Sequence, residues 1–281
     1  MEIIDAHLHL FDLQHGHYDW VRDGNPPFWP DKSMICQNWS ESDLTLSNPQ
    51  QLSGIVHIEA GFDNAQPWRE IAWLEEAVSL PLRSIGCVDL TLSRSAFLKQ
   101  VSALCRYNSV VGVRHILDDD AEVLLSDENV KTNLQVIADT NLIFEAQFDC
   151  DNTAAMTTFL SVIENIPNLI VAFNHAGFAP SKNRNIWAHN LQRLAKKPNV
   201  YIKASGWEMV ERQYESKIIS ERIGELLAWF GEDRVMLASN FPLCQFRSSY
   251  RDLWNEYAQL PITEDIKLKL RFSNAQRFYR F

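Results

Sequence analysis

The 281-residue chain lacks the features that mark several protein classes. Its five cysteines, Cys36, Cys87, Cys105, Cys150 and Cys244, are odd in number and include no Cys-x-x-Cys pair. That pattern argues against a disulfide framework and a structural zinc site and suits reduced, mostly buried thiols. The 10 glycines and 11 prolines are scattered, and no linker, low-complexity tract or internal repeat interrupts the chain. Positive charge is in deficit: 26 Lys and Arg against 36 Asp and Glu give a net charge of -10. Phosphate backbones and anionic lipid surfaces are repelled at long range, so nucleic acid and membrane are excluded as expected partners. No apolar run approaches the length of a membrane span. Met1 leads directly into a strand-like segment with no basic region or cleavage site, which points to a cytoplasmic protein.

What is present is a folded composition, 46% hydrophobic and 22% charged, on a chain of the right length for one barrel domain over residues 1–281. Short apolar, β-branched runs alternate with segments of helical spacing, which implies parallel strands joined by helices. Eight strands are predicted, at 3–10, 54–60, 82–90, 110–117, 142–148, 169–177, 200–206 and 235–242. Helices are predicted at 66–80, 93–105, 127–140, 153–166, 186–196 and 216–230, several opening on a Ser, Thr or Asp cap. Two more follow at 250–259 and 264–279, one closing the barrel and the other an appendage. Eight strands favour a single-domain (β/α)8 TIM barrel, because closure removes exposed edges; a flavodoxin-like open sheet is the alternative. The connection over 11–49 is rich in Pro, Asp, Asn and Trp and reads as a long loop covering a binding site.

Polar residues at strand ends carry the functional signal. In Asp5-Ala6-His7-Leu8-His9, alternation puts His7 and His9 on one face and Ile4, Ala6, Leu8 and Leu10 on the other. Two imidazoles at that spacing can share one metal ion. The same spacing recurs in His15-Gly16-His17, where a loop setting removes its meaning. His175 ends the sixth strand, and the eighth finishes at Asn240-Phe241-Pro242. Asn240 can donate and accept hydrogen bonds but cannot act as a general base. His57 and Glu59, Arg114 and His115, and Glu145 and Gln147 are further polar groups in apolar strands. Such groups are costly unless paired or used, and the alternative to a site is a buried network that sets register.

His7-Leu8-His9, His175 and Ser239-Asn240-Phe241-Pro242 together resemble the amidohydrolase superfamily, in the branch that includes sugar lactonases and 2-pyrone-4,6-dicarboxylate lactonase. Tyr18-Asp19-Trp20, Val56-His57-Ile58-Glu59-Ala60, Gly112-Val113-Arg114-His115 and Asn274-Ala275-Gln276-Arg277-Phe278-Tyr279 extend the similarity over nearly the whole chain. The resemblance implies a TIM barrel that hydrolyses a small lactone, often with one divalent ion such as zinc held by His7, His9 and His175, although some lactonases of the branch work without metal. It implies His175 against the metal, water or substrate, and an eighth-strand aspartate as proton acceptor. Here that position is Asn240, and an acid–base residue contributes a factor of about 10²–10⁴.

Three readings of Asn240 stay open. A metal-bound hydroxide forms without it and His175 shuttles the proton; Asn240 orients substrate while Glu59 is the base; or the barrel binds and barely turns over. A metal-dependent lyase, decarboxylating or hydrating its substrate, is the rival chemistry. Arg114, His115, Gln147 and Trp20 are the expected substrate contacts, a small molecule is the expected partner, and a homodimer is an admissible assembly.

Overall fold

The computed structural model describes residues 1–22, 24–178 and 183–281. Eight parallel strands follow one another in sequence order: β1 Glu2–Leu8, β2 Gln51–Ile58, β3 Leu82–Cys87, β4 Val110–Arg114, β5 Ile143–Ala146, β6 Ile170–Phe173, β7 Val200–Ala204 and β8 Val235–Leu237. The chain beyond β8 completes the ring: Asn240 N–H donates to His7 O at 2.9 Å and His9 N–H to Phe241 O at 2.6 Å. The protein is a (β/α)8 TIM barrel, so the open-sheet alternative falls.

The helices are α1 Trp68–Ala77, α2 Arg94–Leu104, α3 Ala121–Ser126, α4 Glu128–Asp139, α5 Thr153–Asn165, α6 Arg184–Ala195, α7 Trp207–Val210, α8 Ser216–Phe230, α9 Tyr250–Ala258, α10 Glu264–Leu268 and α11 Asn274–Phe278. In α4, Val130, Leu134, Ile137 and Ala138 recur at helical spacing and are buried, while the Asp127 side chain accepts from Asn129 and Val130 N–H at its start. Capping and the apolar stripe together fix both the start and the rotation of the helix. None of the helices among the described residues is long and apolar enough to cross a membrane.

The strands stop before the sequence-predicted ends, and always on the carboxyl side. Residues 88–90, 115–117 and 174–177 lie beyond their strands, and after β8 an isolated bridge between Phe241 and Leu8 continues the pairing. One other expectation changes. Ile4 and Ala6 pack inside the barrel with Val56, Ile58, Ile143 and Met236, whereas Leu8 and Leu10 join the outer layer against the helices. A register shift between Asp5 and Leu8 switches the parity of β1, so the single alternating face read from the sequence is broken at the functional end. Of the two C-terminal segments, the last packs against the barrel floor, where Ala275, Phe278 and Tyr279 join the inner core. There the Tyr279 hydroxyl donates to Glu145 Oε1 at 2.6 Å.

Candidate functional site

The mouth of the barrel holds a cavity of about 450 Å³, within the size range of small-molecule sites. One side is polar, with His9, Glu59, Arg114, Gln147, His175 and Asn240; Trp20, Trp29, Phe178 and Met209 contribute apolar surface. The long first loop supplies both tryptophans, as its composition suggested. Trp20 Nε1–H is tied to Ala60 O at 2.7 Å. Arg212 anchors the loop from the far side, donating to Asp31 Oδ2 at 2.7 Å and lying over the Trp29 and Phe246 rings at 5.4 and 4.3 Å.

Arg114 organises the polar wall. Its Nε–H donates to Glu59 Oε1 at 2.8 Å, one terminal nitrogen to Glu59 O at 2.8 Å, and the other to Gln147 Oε1 at 3.1 Å. Gln147 in turn donates to Asp118 Oδ1 at 3.2 Å. The planar guanidinium is thereby fixed by a carboxylate, a carbonyl and an amide, with its charge still bordering the cavity.

The three histidines are less alike than their sequence motif suggests. All have pKa values held well below the ordinary imidazole value, first by burial and then by the neighbouring cations, Lys203 at His7 and Arg114 at His9 and His175. They are neutral rings at physiological pH. His9 Nδ1 lies 2.8 Å from Ile58 O; a carbonyl only accepts, so His9 carries its proton on Nδ1 and leaves a lone pair on Nε2. His7 is reversed. Lys203 Nζ lies 3.3 Å from His7 Nδ1, and an ammonium only donates, so the His7 proton sits on Nε2, which is buried without a partner among the described residues. The Lys203 pKa is pushed down to about 8 by burial, which still leaves it charged near neutrality.

His175 faces the cavity from a left-handed turn, with φ 53° at His175 and 48° at Ala176, and its Nδ1 lies 3.1 Å from Ser205 Oγ. Gly206 permits that placement. A Cβ there would stand 2.5 Å from His175 Nδ1, and its own φ of +69° favours glycine.

A divalent ion on His7, His9 and His175 does not fit these residues. Ligation through His7 Nε2 would require the His7 proton to move to Nδ1, the atom that the Lys203 ammonium faces at 3.3 Å, and the ion would share the mouth with the buried Arg114 and Lys203 charges. Among the described residues no group of three His, Cys, Asp or Glu side chains is arranged to hold a metal ion. His7 is fully buried and does not border the cavity, whose own histidines are His9 and His175.

Of the other expected residues, the structure brings His9, His175, Asn240, Glu59, Arg114, Gln147 and Trp20 to the cavity. His115 is not there: its Nδ1 lies 3.1 Å from Leu90 N and 3.2 Å from Val88 O, which holds the ring to the loop after β3. Glu145 and His57 are buried, Glu145 in the floor. Three residues were missed. Lys203 lies inside an otherwise apolar strand, a signal that the sequence contained. Ser205 and Glu208 carried none, since only the turn after β7 brings them behind His175 and Asn240.

The chain belongs to the Amidohydrolase family, whose model matches residues 4–281. It is 29% identical to the uncharacterized protein y4mH of Sinorhizobium fredii (strain NBRC 101917 / NGR234), with 99% of this chain and 98% of the relative covered. It is 23% identical to the L-fucono-1,5-lactonase of Burkholderia multivorans (strain ATCC 17616 / 249), over 89% of this chain and 85% of that protein. Among solved structures, an amidohydrolase from Burkholderia multivorans with bound zinc superposes with a TM-score of 0.82 at 19% identity, with each chain covered in full. At that identity the superposition supports the fold.

Proposed function

We propose that the protein hydrolyses a small lactone, a cyclic ester of a polyhydroxy acid, by attack of an activated water. The observation that carries the reading is the cavity itself, where Arg114 with its partner Glu59, Asp118 and uncharged hydrogen-bonding groups are combined with aromatic surface. A polyhydroxylated ring has one edge rich in oxygen and one flatter face of C–H groups, which matches the two kinds of surface. The lactonase relative points to the same substrate class.

In this mechanism Arg114 and Gln147 hold substrate oxygens, and Trp20 and Trp29 stack on the ring and exclude water. His9 Nε2, whose lone pair faces the cavity, accepts the proton of the water as its oxygen bonds to the ester carbonyl. The ring C–O bond then breaks, and the departing alkoxide takes up the proton that His9 Nε2 received from the water, which returns His9 to its neutral form. Asn240 orients the water. Glu59 keeps Arg114 in place and is not the base. The steps use no metal, and the protein acts in the cytoplasm on a free small molecule.

The test is a panel of aldonolactones and dicarboxylate lactones, with acid release followed by a pH indicator, before and after treatment with chelator. Turnover that survives chelation and is lost in His9→Ala and Arg114→Ala supports the reading. A product that has lost carbon, or no consumption of any lactone, refutes it.

A further inference from the structure

Asn240 is held by a carboxylate that no cavity wall reveals. Its Nδ2–H donates to Glu208 Oε1 at 2.6 Å, and Glu208, on α7, is 1% exposed. An amide has one donor side and one acceptor side, so committing Nδ2 to Glu208 settles which way the group faces. Asn240 Oδ1 has no protein hydrogen-bond partner among the described residues, while Asn240 borders the cavity. The backbone fixes the position as firmly, with Asn240 in the left-handed region at φ 58° and its N–H on His7 O at 2.9 Å.

We propose that Glu208 is a positioning residue for the reaction. It turns the Asn240 amide so that Oδ1 accepts a hydrogen bond from the attacking water, and the two side chains together present one acceptor where neither alone would. The proposal rests on the lactonase reading, and it adds a specific cause for the use of an amide at Asn240. With Glu208 already occupying the space behind it, a second carboxylate at that wall would face the first at hydrogen-bond distance in a buried site, where both cannot be ionised.

The environment of Glu208 supports this. Its second oxygen, Oε2, is buried without a partner among the described residues, and burial raises the pKa of Glu208 to about 7. The charged and titratable groups around it are Arg212, Arg247, Tyr214, Tyr257 and Cys244. A carboxyl group this poorly compensated is a costly way to fill a core position, so packing alone does not account for it.

Four proteins test the pair: wild type, Glu208→Gln, Asn240→Asp and the double variant. Each is measured for kcat, KM, the pH profile of kcat and thermal unfolding. Glu208→Gln removes the fixed acceptor and should lower kcat about tenfold with KM nearly unchanged. Asn240→Asp alone should lower kcat at neutral pH by at least about tenfold, move the acidic limb to higher pH and lower Tm. Adding Glu208→Gln to Asn240→Asp should restore kcat, the limb and Tm, because the new amide then donates to the new carboxylate.

Effects that simply multiply in kcat and add in Tm would overturn the pairing while leaving the lactonase reading intact. Coupled Tm values with no lactone turnover in any of the four would uphold the contact and overturn the lactonase reading on which its role depends.

Discussion

The floor and the mouth of the barrel each bury a glutamate on the same core, and they treat it oppositely. In the floor, Glu145 meets Lys203 Nζ at 2.7 Å, a charge–charge contact rather than a well-aligned hydrogen bond, and accepts from the Tyr279 hydroxyl at 2.6 Å. At the mouth, one oxygen of Glu208 accepts from the Asn240 amide, and the other has no partner among the described residues. His7 Nε2 and Asp5 Oδ2 are likewise buried without partners among the described residues, and burial raises Asp5 to about 6. A matched polar group holds structure together; an unmatched one costs stability and is retained where chemistry uses it.

The contrast is sharpened most by His9→Ala, expected to lower kcat by about 10²–10⁴ with little loss of Tm. Steady-state kinetics beside a thermal melt measures this, and a large fall in Tm with kcat intact would place His9 with the floor. Next comes Lys203→Met, which strands Glu145 as an uncompensated buried charge and should cost about 3–5 kcal/mol. Urea unfolding reads it, and a second change, Glu145→Gln, should recover most of the loss. No recovery would show that the floor pair is not a unit.

A smaller effect follows from Glu208. Its folded-state pKa of about 7 lies above the ordinary 4.5, so the folded protein binds that proton more tightly than the unfolded chain. The stability this provides is complete below about pH 4.5 and is lost as pH rises through about 7, on the order of 3 kcal/mol in all. Melts across that range should fall less steeply in Glu208→Gln than in the wild type; parallel curves would mean the carboxyl is not strained. Smallest is Trp29→Ala, which removes a stacking surface and should raise KM about tenfold, equivalent to about 1.4 kcal/mol, with kcat and Tm nearly unchanged.

By itself the sequence determined the barrel, because eight apolar runs alternating with amphipathic segments have few other ways to bury both sheet faces. It also marked most of the cavity: His9, Glu59, Arg114, Gln147, His175 and Asn240 are polar residues at the ends of apolar strands, where their cost is visible without coordinates. Tertiary structure decided the rest. A register shift in β1 cannot be read from alternation, and the His7 and His9 tautomers depend on Lys203 and Ile58, residues 196 and 49 positions away. His115 was drawn to the wrong side by a turn, and Glu208 entered the site through another. Local pattern fixes which face is apolar; which lone pair faces a ligand is set by hydrogen bonds between distant segments, and those exist only once the barrel has closed.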